Sequence, residues 1–486
     1  MPRPVLPVPL RTAPPERHGL PAAAVLRLLD DLGTQGLDPH TLLIARHADV
    51  LLRAAWAPYA LDRPAQVYSA SKSVVALAVG HLEAAGRITL TDPVDRYLDL
   101  PNPSGLTVHH LLTMTTGHSR EQTLAMPLDP RALLTTPPAH PVGSRFAYSS
   151  PASLVLAHVV RAVSGEQPTA YLRPRLLDPL GIGPRWWRRT DGVEQGFSGL
   201  HLTVDDLARI GLALAADGTI SDRQVVPPGF VRRMTRAWAV TRETGAPDDA
   251  SGEPDPDASD WSLGYGYQVW RSRHGFRLDG AYGQFAVVDP DRDVVIAYQG
   301  ATTDAQRTLD AIWRLLESFR DEPAPTDPAR SARLAARVSG LDSWDARRAL
   351  VPQDGADLDA DGWALAPDPA GPDRWLLDLP RSADHPGGRL VVPAGRWSHD
   401  ALRSTDPGSG SVPVAVRGEQ RSDGTVHAHL VSTASPHRVL LTRAADGALD
   451  ARWHTAPLRQ PTLSALLVPP IVGGADGPVP PVAAGL

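Results

Sequence analysis

VYSASKSVVALAVGHLEAAG, residues 67–86, decides how this chain is read. From Ser69 onward nearly every position is apolar, up to Gly86, a residue type that readily ends helices in the left-handed conformation. A helix that is apolar on all sides is a buried helix. Yet its first turn carries Lys72, three residues after Ser69, so the two side chains share one face. Of the 48 basic residues in the chain, Lys72 is the one lysine and the other 47 are arginine.

Arginine keeps its proton at any pH a protein survives, whereas a desolvated lysine can lose it. A serine hydroxyl is a poor nucleophile until a base takes its proton, and an amine one turn away is such a base. The start of a helix also favours negative charge developing at Ser69. S-x-x-K alone is weak, since an N-cap serine and an incidental lysine produce it by chance. The buried setting and the single lysine favour a catalytic pair.

Composition narrows the rest. At 486 residues with 42% apolar content, the chain is long enough for two domains. A net charge of -6 without a basic run gives no electrostatic support for nucleic-acid binding. The absence of cysteine excludes thiol nucleophiles, Fe–S clusters and disulfides, and fits a reducing compartment. The N-terminus, MPRPVLPVPLRTAPPERHGL, has prolines where a signal peptide needs a continuous apolar run, and no apolar run reaches membrane-spanning length. A cytoplasmic protein without a membrane partner is expected.

Proline- and glycine-rich stretches mark the joints. DEPAPTDPARS (321–331) reads as an interdomain linker between domains at 1–322 and 332–465, and 466–486 as a disordered tail. The acidic stretch 241–260 reads as a disordered insertion or a lid. AAAVLRLLDDLG (22–33) has helical spacing, and TLLIARHADVLLRAAW (41–56) reads as a hairpin turning at His47-Ala48-Asp49. After helical segments to about residue 240, strands are expected at 264–272, 283–290 and 293–300, then a helix at 306–319. Strands at both ends of a helical insertion imply an α+β fold, with an antiparallel sheet assembled from both termini and a cleft against a helical lobe.

With these elements placed, the stretches 67–98, LTVHHLLTMTTGH (106–118), PVGSRFAYSSPASLVLAHVV (141–160), 198–214 and DGAYGQFAVVDPDRDVVIAY (279–298) resemble the class C β-lactamase-related serine hydrolases. That family shares the penicillin-binding-protein fold and includes carboxylesterases and 6-aminohexanoate-dimer hydrolases. The resemblance covers roughly residues 15 to 320. It implies Ser69 as nucleophile, Lys72 as its helix partner, and Tyr148 as the tyrosine that shuttles a proton to the leaving group. Ser150 stands where the family has asparagine, which leaves a shorter donor at the cleft wall.

The third motif departs most. Where many relatives carry K-T-G or H-x-G, this chain has Leu278-Asp279-Gly280, followed by Ala281-Tyr282-Gly283-Gln284. No cation is expected there to hold a β-lactam carboxylate, and Asp279 would repel one. The pattern is more similar to the esterase and 6-aminohexanoate-dimer-hydrolase branches. An oxyanion hole needs only backbone, so the N–H groups of Ser69 and Ala281 are expected to form it, with Gly280 allowing close approach. Ser150, Asp279, Tyr282 and Gln284 are expected around this cleft. Free lysine titrates near ~10.4 and tyrosine near ~10, so a base useful at neutral pH needs a shift of about three units. The two would titrate as a coupled pair.

Other constellations are weaker. No G-x-S-x-G, H-E-x-x-H or phosphate loop occurs. His109 and His110 read as scaffold. His427 and His429 would share a strand face, but no third ligand is in view, so neither metal nor cofactor is expected. Short β-forming runs at 374–379, 388–395, 412–418, 425–432, 437–443 and 449–455 imply an antiparallel sandwich or barrel. This part resembles the lipocalin-like β-domain appended to many such hydrolases. The resulting expectation is a cofactor-free serine hydrolase of small esters or amides. An acyltransferase or peptide cyclase on the same fold, and an inactive ligand-binding member, stand as alternatives.

Overall fold

The computed structural model describes residues 10–34, 37–220, 222–241, 259–344, 358, 361–382, 385–403 and 411–458. The expected tail and nearly all of the acidic stretch lie outside the described residues.

A six-stranded antiparallel sheet organises the first part of the chain. Its strands are β1 (Pro39–Arg46), β2 (Asp49–Ala55), β3 (Trp270–Arg271), β4 (Phe276–Gly280), β5 (Gln284–Asp289) and β6 (Val294–Gly300), in the spatial order β2-β1-β6-β5-β4-β3. N-terminal and C-terminal segments thus meet at the β1–β6 pair, where Leu43 faces Ala297 and Ile44 faces Ile296. His47 and Ala48 both have positive φ (51° and 65°), the backbone a tight two-residue hairpin turn requires.

Side-chain alternation gives each face of the sheet its own core. Leu42, Ile44, Phe285, Val287 and Ile296 pack under helices α1 (Ala22–Thr34), α5 (Ala305–Leu316) and α6 (Pro328–Ser339). Leu43, Ala45, Ala286, Val288 and Val295 pack under the helical lobe. The lobe contains α2 (Ser71–Ala84), α3 (Ser150–Ser164) and α4 (Val204–Ala215), with α2 against α3 and α4 lying directly on the sheet. With helices on both faces, strands such as β1 and β6 are buried at every position.

Two expectations about elements need correction. GYGYQVWRS forms a strand only at Trp270–Arg271, because Gly264 (φ 105°) and Gln268 (φ 60°) turn the chain out of the extended region. The expected linker is partly helix: the Asp327 carboxylate accepts from the N–H groups of Ala329 and Arg330, capping α6, and Leu334 joins the core beneath α1.

The C-terminal part is an antiparallel meander around a separate core. β7 (Ala364–Pro367), β8 (Arg374–Ser382) and β9 (His385–Pro393) form one sheet. β10 (Ser398–Arg403), β11 (Ser411–Gln420), β12 (Val426–Ser432), β13 (Arg438–Arg443) and β14 (Leu449–Thr455) form the other. Trp363, Trp375, Val414, Leu430 and the fully buried Trp453 fill the space between them. The two parts meet through a buried ion pair 400 residues apart in sequence, in which Arg438 Nη2 donates to Asp38 Oδ1 at 2.9 Å. Among the described residues, no helix is long and apolar enough to cross a membrane.

Candidate active site

The site is built where α2 begins. Tyr68–Ala70 form a single 3-10 turn, and the α-helix continues from Ser71. Ser71, which is fully buried, donates its hydroxyl to the Tyr68 carbonyl and accepts from the Leu200 N–H, fixing the turn against the neighbouring loop. Ser69 remains partly exposed, whereas Lys72 is 1% exposed.

Lys72 Nζ donates to Ser69 Oγ at 3.0 Å and to the Phe197 carbonyl at 2.9 Å, with Ser150 Oγ at 3.5 Å. The amine also lies 4.8 Å from the centre of the Tyr148 ring. Burial pushes the Tyr148 hydroxyl well above the ordinary tyrosine range, and the nearby Ser69 hydroxyl offsets this only in part. Ser69 Oγ therefore accepts from a lysine amine that also lies over the ring of a phenol which keeps its proton at neutral pH.

Opposite Ser69 runs β4. A Cβ placed on Gly280 would lie 2.2 Å from the Val67 carbonyl oxygen and 3.2 Å from the Ser69 nitrogen, so this strand meets the start of α2 backbone to backbone. Ala281 follows at the turn into β5. Gln284, expected at the cleft, instead points into the interior: its amide donates to the carbonyls of Gly300 and Tyr282. It holds the turn and does not line the cleft.

The third motif was expected to offer no cation to a substrate carboxylate; the structure adds a neighbouring cation, Arg277, that is buried and paired. Arg277 lies on the same strand face as Asp279 and donates from Nε to its carboxylate at 2.8 Å. Arg277 is fully buried, its guanidinium 4.7 Å from the Trp261 ring and 5.9 Å from the Trp270 ring, with Nη1 donating to Asp260 and Arg271 carbonyls. Burial raises the Asp279 carboxyl above its usual range, and the Arg277 charge pulls it back only in part.

An aromatic wall, largely buried, packs against Tyr148. Tyr148 stacks on Trp270 at 5.7 Å, and Phe146 and Tyr265 pack edgewise or tilted on the same group. Sequence reading missed this wall, the Phe197 carbonyl and Arg277. Phe197 sits in Gly196-Phe197-Ser198-Gly199, whose glycines have φ of 67° and 81°, a signature of a tight loop without any mark of chemistry. The scaffold histidines behave as structure: His109 meets the Tyr267 hydroxyl, and His110 completes a helix cap with Thr107. His429 Nδ1 is occupied by Arg438, and its ring packs on Trp344 at 4.4 Å.

The fold coincides with a family assignment. Residues 27–317 match the family model described as Beta-lactamase. The chain belongs to the beta-lactamase family. Esterase EstB of Burkholderia gladioli is 34% identical over 123 residues, which are 21% of this chain and 31% of that protein. The chain spans only 31% of the length of the curated relatives it matches. Among solved structures, a penicillin-binding-protein homologue from Caulobacter crescentus is 19% identical with a TM-score of 0.49, covering 63% of this chain and 99% of that one. The octameric penicillin-binding-protein homologue from Pyrococcus abyssi is 16% identical with a TM-score of 0.48, covering 86% and 99%.

Proposed function

We propose that the protein is a serine hydrolase that cleaves small esters or amides through an acyl-enzyme on Ser69. The observation that carries this reading is the buried Lys72 Nζ donating to Ser69 Oγ at 3.0 Å while lying 4.8 Å from the Tyr148 ring. Ser69 attacks the substrate carbonyl while the Lys72 amine takes its proton. The N–H groups of Ser69 and Ala281 bind the oxyanion that forms. As the tetrahedral intermediate collapses, Tyr148 gives its proton to the departing alcohol or amine and regains one from Lys72. Water then enters, and the same groups release the acid and restore Ser69.

The substrate is a small acyl compound without a carboxylate anchor. Asp279 lies near Tyr148, and the cation beside it, Arg277, is sealed beneath Trp261 and Trp270. Neutral esters with short apolar acyl groups suit the aromatic wall. A fluorophosphonate probe read by intact mass tests the proposal. One adduct per chain is expected, lost in Ser69→Ala, together with turnover of short p-nitrophenyl esters and little of nitrocefin. No adduct on native protein would overturn the reading, and efficient nitrocefin hydrolysis would overturn the substrate assignment.

A further inference from the structure

We infer that the C-terminal β-domain holds the oxyanion hole in shape by gripping Tyr68 and Tyr282, with His437 as the positioning residue. The inference rests on the acyl-enzyme reading above. Tyr68 immediately precedes Ser69, and Tyr282 immediately follows Ala281, so each proposed oxyanion donor is flanked by a tyrosine. Both tyrosines have left-handed backbone, with φ of 46° and 63°. A bulky residue there costs about 1–3 kcal/mol and persists only where its surroundings over-determine it.

The surroundings come from the other domain. The Tyr68 hydroxyl lies 2.8 Å from His437 Nε2, and the Tyr282 hydroxyl donates to the Ala456 carbonyl at 2.5 Å. The two tyrosine rings meet edge to face at 5.6 Å, and the His437 ring stands edgewise on both at 5.9 Å. The Gln66 N–H, two residues before Tyr68, donates to the Ala434 carbonyl. His437 Nδ1 faces the Thr455 carbonyl at 3.2 Å, which can only accept, so Nδ1 carries the proton and Nε2 accepts from Tyr68. Burial holds His437 down at about 4, so this neutral tautomer stands at neutral pH.

Ala434, His437, Thr455 and Ala456 lie in the β12–β13 loop and at the end of β14, so one end of the meander closes on both arms of the hole. Release of Tyr68 would let its backbone relax toward negative φ and turn the peptide that carries the Ser69 N–H. A misplaced donor lowers kcat more than it changes KM, because the oxyanion exists only beyond the ground state.

Full-length variants test this by kcat and KM on a p-nitrophenyl ester, alongside fluorophosphonate labelling. Loss of a whole oxyanion donor costs about 10²- to 10³-fold. Tyr68→Phe and His437→Phe are each expected to lower kcat about tenfold or more with KM within about threefold. Because both cut one bond, the double variant should be no slower than the slower single. His437→Gln, which keeps an acceptor, should restore most of the rate. Should His437→Phe fail to fold, Tyr68→Phe, which deletes one oxygen, decides. A Tyr68→Phe kcat within about twofold of the parent, or fully additive losses, overturns the inference. A parent whose Ser69 takes no adduct removes the acyl-enzyme reading itself; a labelled parent with unaffected variants removes only this inference.

Discussion

Gly280 meets Ser69 backbone to backbone: a Cβ on Gly280 would stand 3.2 Å from the Ser69 nitrogen and 2.2 Å from the Val67 carbonyl oxygen. Neither atom is the end of a flexible side chain, so relief requires β4 to move away from Ser69. Gly280→Ala should destabilise the protein by about 1–3 kcal/mol, the usual cost of overpacking. It should also slow acylation of Ser69 by about tenfold or more, since the proposed oxyanion donors separate. Denaturant titration and labelling kinetics check both; parent-like values in each would show that the strand has slack.

Tyr148 acts as an acid in this account, and its burial fixes the expected pH response. Its pKa lies above the ordinary value of ~10, so the protonated, active form persists through alkaline pH. The kcat profile should show no decline from Tyr148 between about pH 7 and 9.5. Tyr148→Phe should lose about 10²- to 10⁴-fold in kcat while melting like the parent. A deprotonation limb near pH 8 that vanishes in Tyr148→Phe would contradict the assignment.

Much of this arrangement was legible in the sequence, and the failures have physical causes. The all-apolar helix with Ser69 and Lys72 on one face, the hairpin at His47-Ala48 and the terminal strands carry strong local signals. Gln284 was misplaced because a motif resemblance fixes which residue stands at the turn but not which way its side chain points. Arg277 escaped notice because its value comes from tertiary partners, Asp279 and two tryptophans, that no local pattern announces. The strands Ala364–Pro367 and Ser398–Arg403 were overlooked, the first for its alanines and proline, the second for its polar half. The grip of His437 on Tyr68 spans 369 residues, beyond any motif.

Histidines drawn out of water give stability an expected acid dependence. Burial lowers His81, His201 and His437 to about 4, below the ordinary value of ~6.5. An unfolded chain takes up these protons as pH falls through ~6.5, while the folded chain waits until about 4. Their contribution is therefore complete above ~6.5 and is lost as pH falls toward 4, on the order of 3 kcal/mol for each fully buried ring. Urea midpoints should fall steadily from pH 7 to 5. A flat profile there would contradict the burial of these rings.

The Asp38–Arg438 pair joins the two parts of the chain with both side chains at most 2% exposed. Asp38→Asn strands a buried guanidinium and should cost about 3–5 kcal/mol. Replacing both partners by apolar residues, as in Asp38→Leu with Arg438→Met, should cost less than the single change. Equal or larger loss in the double variant would show that the pair itself supplies net stability.

The most direct measurement is the rate at which a fluorophosphonate labels Ser69 in Lys72→Arg, beside the parent and with thermal melts of both. Arginine keeps the charge and most of the stem but cannot give up its proton. If the single lysine serves as the base for Ser69, labelling should slow about a hundredfold or more, roughly 2.7 kcal/mol in barrier, with the fold intact. A Lys72→Arg protein that melts like the parent and is labelled within about tenfold of its rate would contradict that role.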